Sequence, residues 1–447
     1  MKALLEPIKE IARFDELFRD LKKGTAGVTV ISGCLESQKA HMIAGLSEDA
    51  PVRLLIAENE LKAKELYEDY QLYDAETLYY PAKDLIFYQA DIHGNLLIRQ
   101  RLQVIQALLE RKEVTIITSV GGCMDFLLPL DVFEKHCIHL RNDSELDLDK
   151  IRKELVRLGY ESTFQVESTG QFSVRGGILD IYPLTEQNPI RIELWGDEID
   201  SIRSFDAESQ RSIENLEEIT IYPASELILT EDTIARGVKA IKKEAKAQST
   251  KFRDKMMTEE AARIRHAAEE ICDQIGEGEI LQGAEQYLHY FYPETVSFLE
   301  YLPENSRIFL DEPNRIIECA DALEAEFQES VSHRLEKGYL LPGQAKLMCS
   351  TAELVAKLNR RGCVAVSLME PQKGEWNIRD EFSVTVKSVN SYNNQFPLLV
   401  KGSEILEKRR VTVLYWRVRR GRGRSIWRRT CRMRRFRPST ARMRSVF

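Results

Sequence analysis

The chain has 447 residues, of which 43% are hydrophobic and 30% charged, the balance of a globular protein with two to four domains. No stretch approaches the ~18 consecutive apolar residues that a membrane helix requires. Glu6 and Pro7 interrupt the N-terminus before the apolar core of a signal peptide could form. These features argue against secreted and membrane proteins, and we expect a cytoplasmic protein.

The net charge of −8 conceals an asymmetry. Residues 409–447 contain 15 arginines, no lysine and no acid; removing those 15 from the 63 basic residues leaves 48 against 71 acids, or −23 for residues 1–408. A body this acidic does not attract nucleic acid by its overall field, so any DNA contact there must be local. The tail itself has two interpretations. A shifted reading frame is favoured by the absence of lysine, and a genuine nucleic-acid-binding tail is the alternative.

The eight cysteines are scattered and include no C-x-x-C pair. His136 and His139 flank Cys137, which makes a metal conceivable, but four ligands at zinc spacing are missing. We therefore expect reduced thiols and no metal site.

In chain order, the first 125 residues alternate short β-rich runs with helical patterns. Strands are predicted at 28–31, 53–57 and 114–118, and helices at 61–70 and 96–111. Such alternation favours a parallel sheet covered by helices.

The pattern changes between residues 140 and 223. A helix at 144–158 is followed by strands at 178–182, 190–195 and 199–203, in which apolar and polar residues alternate. This alternation is typical of antiparallel strands with one buried face. It predicts a small module inserted between two halves of a larger domain.

The remainder is mostly helical over residues 230–300, followed by a strand at 307–312 and two more at 362–368 and 382–389. The predicted fold class is α/β, with a RecA-like parallel sheet split in sequence by a small antiparallel α+β domain, plus a further small α/β domain. The predicted organisation is a degenerate helicase-like domain 1A at 1–138, the inserted domain at 139–228, a helical segment with the remainder of the helicase-like domain (1B) at 229–340, an incomplete small α/β domain at 341–408 and the tail at 409–447.

A degenerate phosphate-binding loop follows the first strand. A working loop reads G-x-x-x-x-G-K-[ST], in which the second glycine opens the backbone to phosphate, the lysine neutralises it and the hydroxyl binds Mg²⁺. Here Gly33 and Lys39 are kept, but Gln38 replaces the second glycine and Ala40 the hydroxyl residue. Glu36 adds a repulsive carboxylate inside the loop. We expect a strand–loop–helix retained for folding, without nucleotide binding.

Asp311 and Glu312 end the strand at 307–312 and resemble the carboxylates of a Walker B strand. Two acids at a strand end are also common in loops, or as a helix N-cap in the case of Asp311. Without a phosphate loop to serve, we interpret them as remnants of a nucleotide site. The sequence thus predicts no catalytic residue, no cofactor and no enzyme activity for this chain.

The inserted module carries the residues best suited to binding another protein. Arg191, Glu193 and Trp195 share one face of a strand whose other face is apolar. Arginine and tryptophan are enriched at binding hot spots. Arg175 precedes Gly176 and Gly177, which permit a tight turn or a close backbone approach. The alternative is a solvated strand face with a local Arg191–Glu193 ion pair.

These residues stand in a longer motif. Arg175-Gly-Gly-Ile-Leu-Asp-Ile-Tyr-Pro, then Arg191-Ile-Glu-Leu-Trp-Gly-Asp-Glu-Ile-Asp-Ser-Ile-Arg203, resemble the UvrB-homology module of the Mfd family of bacterial transcription-repair coupling factors. The likeness includes the degenerate phosphate loop and covers most of residues 1–408. UvrB itself is also similar, but it keeps a complete P-loop and a long DNA-gripping hairpin, for which residues 79–96 are too short.

The resemblance implies that the inserted domain binds UvrA and recruits it to stalled RNA polymerase for nucleotide excision repair. By motif position, the family's two contacting arginines fall on Arg175 and Arg191, and its contacting aromatic, usually Phe, on Trp195. ATP and Mg²⁺, like RNA polymerase and DNA, would be bound only by domains missing from this chain. The alternatives are an active ATP-dependent DNA helicase or translocase, a UvrB-like DNA-binding protein, and a nucleic-acid-binding protein that acts through its tail.

Overall fold

The computed structural model describes residues 5–384 apart from 12, 23, 84–95, 278–283 and 371–373, together with residue 398. The arginine-rich tail, the predicted strand residues 385–389 and most of the stretch compared with the UvrB hairpin lie outside the described residues. No helix in the described part is long and apolar enough to cross a membrane.

The strands of the described residues fall into two larger sheets and two strand pairs. In chain order they are β1 Val28–Ser32, β2 Val52–Ala57, β3 Leu78–Tyr80, β4 Val114–Ser119, β5 Phe126–Leu127, β6 Ile138–Arg141, β7 Glu161–Ser162, β8 Gln171–Arg175, β9 Ile178–Ile181, β10 Ile190–Trp195, β11 Glu198–Phe205, β12 Ser212–Leu216, β13 Glu218–Ile221, β14 Val296–Ser297, β15 Arg307–Asp311, β16 Cys363–Val366 and β17 Ile378–Ser383.

The α-helices pack on both faces of the main sheet and beside the inserted module. They are α1 Phe14–Lys22, α2 Glu36–Leu46, α3 Glu60–Tyr70, α4 Leu96–Leu109, α5 Val120–Met124, α6 Leu130–Lys135, α7 Leu148–Arg157, α8 Glu231–Asp254, α9 Thr258–Glu277, α10 Leu288–Phe291, α11 Pro313–Glu336 and α12 Thr351–Arg361. Short 3₁₀ helices occupy Glu6–Glu10, Ala284–Tyr287, Phe298–Tyr301 and Pro342–Ala345.

The main sheet has seven parallel strands in the order β17-β1-β16-β15-β2-β4-β3. Its central strands are apolar without alternation because both faces are covered. In β2, Leu54 and Ile56 belong to the core on one face, whereas Leu55 and Ala57 belong to the core on the other. The predicted α/β class is confirmed.

Strands β16 and β17 were expected in a further small α/β domain, but they lie in the main sheet. β16 pairs in parallel with β1 on one side and β15 on the other, and β17 pairs with the outer edge of β1. The four residues of β16 are all buried. A strand this short and fully apolar is stable only between two neighbours and under helices, and the main sheet supplies both.

The inserted module is built on a six-stranded sheet in the order β12-β11-β10-β9-β8-β7, antiparallel except for the β7–β8 pair. Its apolar face carries Leu179, Ile192 and Ile202, which join Ile151 and Leu155 of α7 in one core. The strands that enter and leave the module, β6 and β13, pair with each other and close its base.

Candidate partner-binding surface and degenerate phosphate loop

Arg191 is held in a fixed orientation by Asp180 on the neighbouring strand. The two residues face each other in the β9–β10 register. Nε of Arg191 donates to Oδ1 of Asp180 at 2.7 Å and Nη2 to Oδ2 at 2.9 Å, a bidentate ion pair. The guanidinium also lies 4.4 Å from the centroid of the Phe205 ring. Hydrogen bonding to Asp180 outweighs partial desolvation and raises the pKa of Arg191 further.

Arg175 shares the same carboxylate. Its Nη2 donates to Oδ2 of Asp180 at 2.9 Å, so the two arginines meet at one fully buried acid. Arg175 remains 40% exposed, against 17% for the Arg191 side chain. The turn that follows uses Gly176 at φ +59°, a left-handed conformation that favours glycine.

Trp195 lies at the end of β10 and is 85% exposed. It follows Arg191 by four residues and so shares its face, about 13 Å farther along the strand. Phe164 is also exposed, and its ring lies 5.7 Å from the guanidinium of Arg175. The structure therefore brings the two arginines together at Asp180 and places the indole on the same face, beyond contact with them.

Two features of this face were missed at the sequence level. The alternative of a local Arg191–Glu193 ion pair is wrong, because Glu193 pairs with Arg203 of the next strand and Arg191 pairs with Asp180. Asp180 was available as a signal, since it alternates with Leu179 and Ile181 on the strand before Arg191. Asp180 lies directly opposite Arg191, at a Cβ separation of about 5 Å, whereas Glu193 is two residues and about 6.6 Å farther along the strand, so the cross-strand acid is the nearer partner.

The phosphate loop is closed by bonds within the protein. The N–H of Gly33 donates to the carbonyl of Leu368 and that of Cys34 to the carbonyl of Ser367. Helix α2 begins already at Glu36, and the N–H groups of Gln38 and Lys39 donate to the carbonyl of Leu35. A phosphate cradle needs such N–H groups pointing outward and free. Gln38 and Ala40 are thus helix residues.

Lys39 is neutralised by three carboxylates. Its buried Nζ lies 2.6 Å from Oε1 of Glu36, 2.6 Å from Oδ1 of Asp311 and 2.8 Å from Oε1 of Glu312. Burial alone would lower the pKa of Lys39, but attraction to Asp311 and the hydrogen bonds raise it. Burial raises the pKa of Asp311, an effect that Lys39 opposes. In this structure the ammonium of Lys39 is therefore paired with three carboxylates, which a phosphate would have to displace.

The two Walker B-like acids have separate structural roles. Asp311 is the last residue of β15, whereas Glu312 stands at the N-cap of α11 with φ +57° and Pro313 behind it. The expectation that Asp311 caps the helix is wrong by one residue. Glu312 makes no side-chain cap; its Oε1 instead accepts from the N–H of Leu368.

The carboxylates of Glu36, Asp311 and Glu312 lie within 4.8 Å of one another, close enough to share a cation. The ammonium of Lys39 already bonds to all three.

The segment around Cys137, which was considered for a metal, makes hydrogen bonds to nearby backbone carbonyls. His136 Nδ1 pairs with the carbonyl of Val132 and the Cys137 thiol donates to that of Phe133.

The parallel sheet with its inserted antiparallel sheet is the fold of a UvrB-like module. Residues 138–227 match the model of the UvrB interaction domain family, which coincides with the inserted module bounded by β6 and β13.

The chain is also similar to curated transcription-repair-coupling factors along most of its length. It is 32% identical over 418 residues to that of Bacillus subtilis, covering 90% of this chain and 35% of the relative. It is 34% identical over 354 residues to that of Staphylococcus aureus strain USA300, covering 77% and 29%. The predicted resemblance to this family is confirmed. The chain spans about a third of the length of these relatives.

Proposed function

We propose that this chain recruits UvrA in transcription-coupled nucleotide excision repair through the face of β10 in its inserted module. The observation that carries the proposal is the UvrB interaction domain match over residues 138–227, which contain an exposed tryptophan on the same strand face as an arginine that shares one buried acid with a second arginine. In this proposal RNA polymerase is engaged by parts of the longer relatives to which this chain does not align.

The three site residues would contribute unequally to the contact. Trp195 offers the largest free apolar area, and burying an exposed indole is a typical hot-spot contribution. Arg175 has the more accessible guanidinium and can bond a partner carboxylate while it still holds Asp180. Arg191 is mostly covered, so it acts chiefly by holding Asp180 and Arg175 in place.

Binding to purified UvrA tests the proposal. We expect the wild-type chain to bind, and the double change Arg175→Ala, Arg191→Ala to weaken binding by at least about 2 kcal/mol if both arginines support the interface. The matched control is Arg152→Ala, Lys153→Ala, which removes two exposed charges from α7 of the same module. The double change leaves Asp180 buried without its two arginine partners, which can destabilise the fold. Thermal unfolding of each protein therefore distinguishes a loss of binding from a loss of folding. Unchanged binding by the folded double variant would refute the assignment.

We further propose that the nucleotide site is vestigial. Supporting this are the backbone N–H groups already bonded to protein carbonyls and the lysine enclosed by three acids. The chain would then act by binding alone, and the rival assignment as an active ATP-dependent helicase would require this loop to open and Lys39 to leave all three carboxylates.

A further inference from the structure

A row of basic side chains runs along the solvent side of α8. Arg236, Lys239, Lys243, Lys246 and Arg253, here termed the basic row, follow one another at intervals of three, four, three and seven residues. This spacing keeps them on one face of the helix. All five are exposed. At 1.5 Å per residue the row is about 26 Å long.

The charges of the basic row are not compensated within the described part of the protein. No carboxylate among the described residues forms an ion pair with any of the five. Between Thr233 and Arg253 the helix has one acid, Glu244, which turns inward to accept from Tyr290, and the exposed acids Asp232 and Asp254 lie at the two ends of the row. Lys242 and Lys251 add further exposed positive charge beside the row.

The neighbouring helix shows a different arrangement. On α9 the exposed bases are matched by acids one turn away, in the pairs Arg265–Glu269 and His266–Glu270. Like charges four residues apart, as in Lys239 and Lys243, destabilise a helix. The contrast is notable in residues 1–408, whose net charge is −23. A solvated surface helix would be expected to mix its charges as α9 does.

The composition of this face indicates the kind of partner. Protein interfaces are enriched in aromatic residues and depleted in lysine. Single-stranded nucleic acids are bound with aromatic residues that stack on the bases. The exposed side of α8 has no aromatic residue, because Phe252 is buried. A helix lying in a membrane interface needs a free apolar face, whereas that of α8 packs against α9 and α10.

We infer that the basic row binds the sugar-phosphate backbone of a double helix without reading its sequence. A duplex carries one phosphate per ~1.7 Å of its axis, so a straight row of about 26 Å can meet several phosphates of one strand or bridge a groove. This surface lies outside the inserted module and gives the chain a nucleic-acid contact of its own, independent of the proposed UvrA contact.

Charge reversal in the full chain tests the inference. We expect Lys239→Glu, Lys243→Glu, Lys246→Glu to weaken binding to a 20-bp DNA duplex by about tenfold or more near 0.1 M salt. The slope of log K against log salt is negative for DNA binding, and its magnitude should decrease by about 3. The matched control reverses three exposed bases of α7: Lys150→Glu, Arg152→Glu, Lys153→Glu. The arginine-rich tail is present in every variant, so a difference between them reports on the helix.

A photocrosslink locates the contact without changing charge. A benzophenone amino acid at Thr250, which fills the gap in the basic row, should crosslink to the duplex, and one at Ala262 on α9 should not. Repeating the experiment with an RNA duplex decides which double helix is preferred. Equal loss of affinity in the α7 control, unchanged affinity in the α8 variant or equal crosslinking at both positions would overturn the inference. Circular dichroism verifies that both triple variants are folded; if the α8 variant is not, the crosslink pattern decides.

Discussion

Lys39 stands where a phosphate loop has its lysine, but its surroundings give it different partners. In a working phosphate loop the lysine faces a nucleotide, and here it faces Glu36, Asp311 and Glu312. The sequence predicted the loss of nucleotide binding from the missing glycine and hydroxyl. The structure adds a second reason, since the ammonium is already the shared cation of a three-carboxylate cluster.

The Lys39→Ala variant should expose this cluster as a cation site. Without the ammonium three carboxylates repel one another, so we expect a lower melting temperature in metal-free buffer. Millimolar Ca²⁺ or Mg²⁺ should restore several degrees, because oxygen ligands within 4.8 Å of one another suit a hard divalent cation. Thermal unfolding with and without the metal measures this.

Lys62→Ala is the control, since it removes a lysine that pairs with exposed Glu65 at the surface of α3. That variant and the wild type should be insensitive to the metal. A melting temperature of Lys39→Ala that does not respond to either cation would contradict the interpretation.

At the scale of elements, a buried ionic network fastens the inserted module to the main domain. Arg101 of α4 is fully buried, and its Nε lies 2.7 Å from Oε1 of Glu226, on the segment that leaves the module after β13. Its Nη1 lies 3.0 Å from Oδ2 of Asp125. Lys83 also pairs with Glu226. Helix α4 and the exit of the module are thus held by one guanidinium.

The network makes stability depend on pH through Glu226. Burial would raise the pKa of this carboxyl, but Arg101 and Lys83 overcome it and lower the pKa from 4.5 to about 2. A folded pKa below the unfolded one stabilises the protein above pH 4.5, and this stabilisation is lost as the pH falls toward 2. Burial raises the pKa of Asp125 to about 6. A folded pKa above the unfolded one has the opposite effect on stability, because it destabilises the protein as the pH rises from about 4 to 6.

We therefore expect Glu226→Gln to lower the free energy of unfolding at pH 7 by about 3–5 kcal/mol, because Arg101 loses a buried partner. The variant should also lose stability less steeply than the wild type between pH 4.5 and 2. Denaturant unfolding across that range measures both effects. Glu231→Gln, which removes an exposed partner of Arg157, serves as the control and should change little. Equal stability of Glu226→Gln and the wild type would rule out the fastening role.

The sequence predicted more of the elements than of their connections. The buried runs of β1, β2 and β4 and the alternating strands β9 to β11 were recognisable, because burial on one or both faces imposes a period on the sequence. The placement of β16 between β1 and β15 was not, since a short apolar strand is compatible with any sheet. Likewise, the sequence proposed three candidate site residues, but it did not identify Asp180 as the residue that joins two of them, because register depends on tertiary packing.

At the scale of the whole molecule, the described residues combine a degenerate phosphate loop with the exposed face of β10 that we propose as a docking surface. The Mfd-like resemblance extends over both, and the chain aligns to about a third of its curated relatives. We expect no binding of a fluorescent ATP analogue in the presence of Mg²⁺, since four backbone donors of the loop are occupied and Lys39 is paired with three acids. Micromolar affinity in a titration would show instead that the loop opens, and would favour the helicase alternative.

Trp195 is the residue on which the proposed contact with UvrA depends most directly. Because its side chain is 85% exposed, Trp195→Ala should change the free energy of unfolding by no more than about 0.5 kcal/mol, unlike changes at Arg191. The dissociation constant for UvrA should nevertheless rise about 30-fold, equivalent to about 2 kcal/mol. Leu61→Ala, at an exposed apolar residue of α3, is the matched control and should leave the constant unchanged. Equal affinities of Trp195→Ala, Leu61→Ala and the wild type for UvrA, with all three proteins folded, would contradict the proposed docking face.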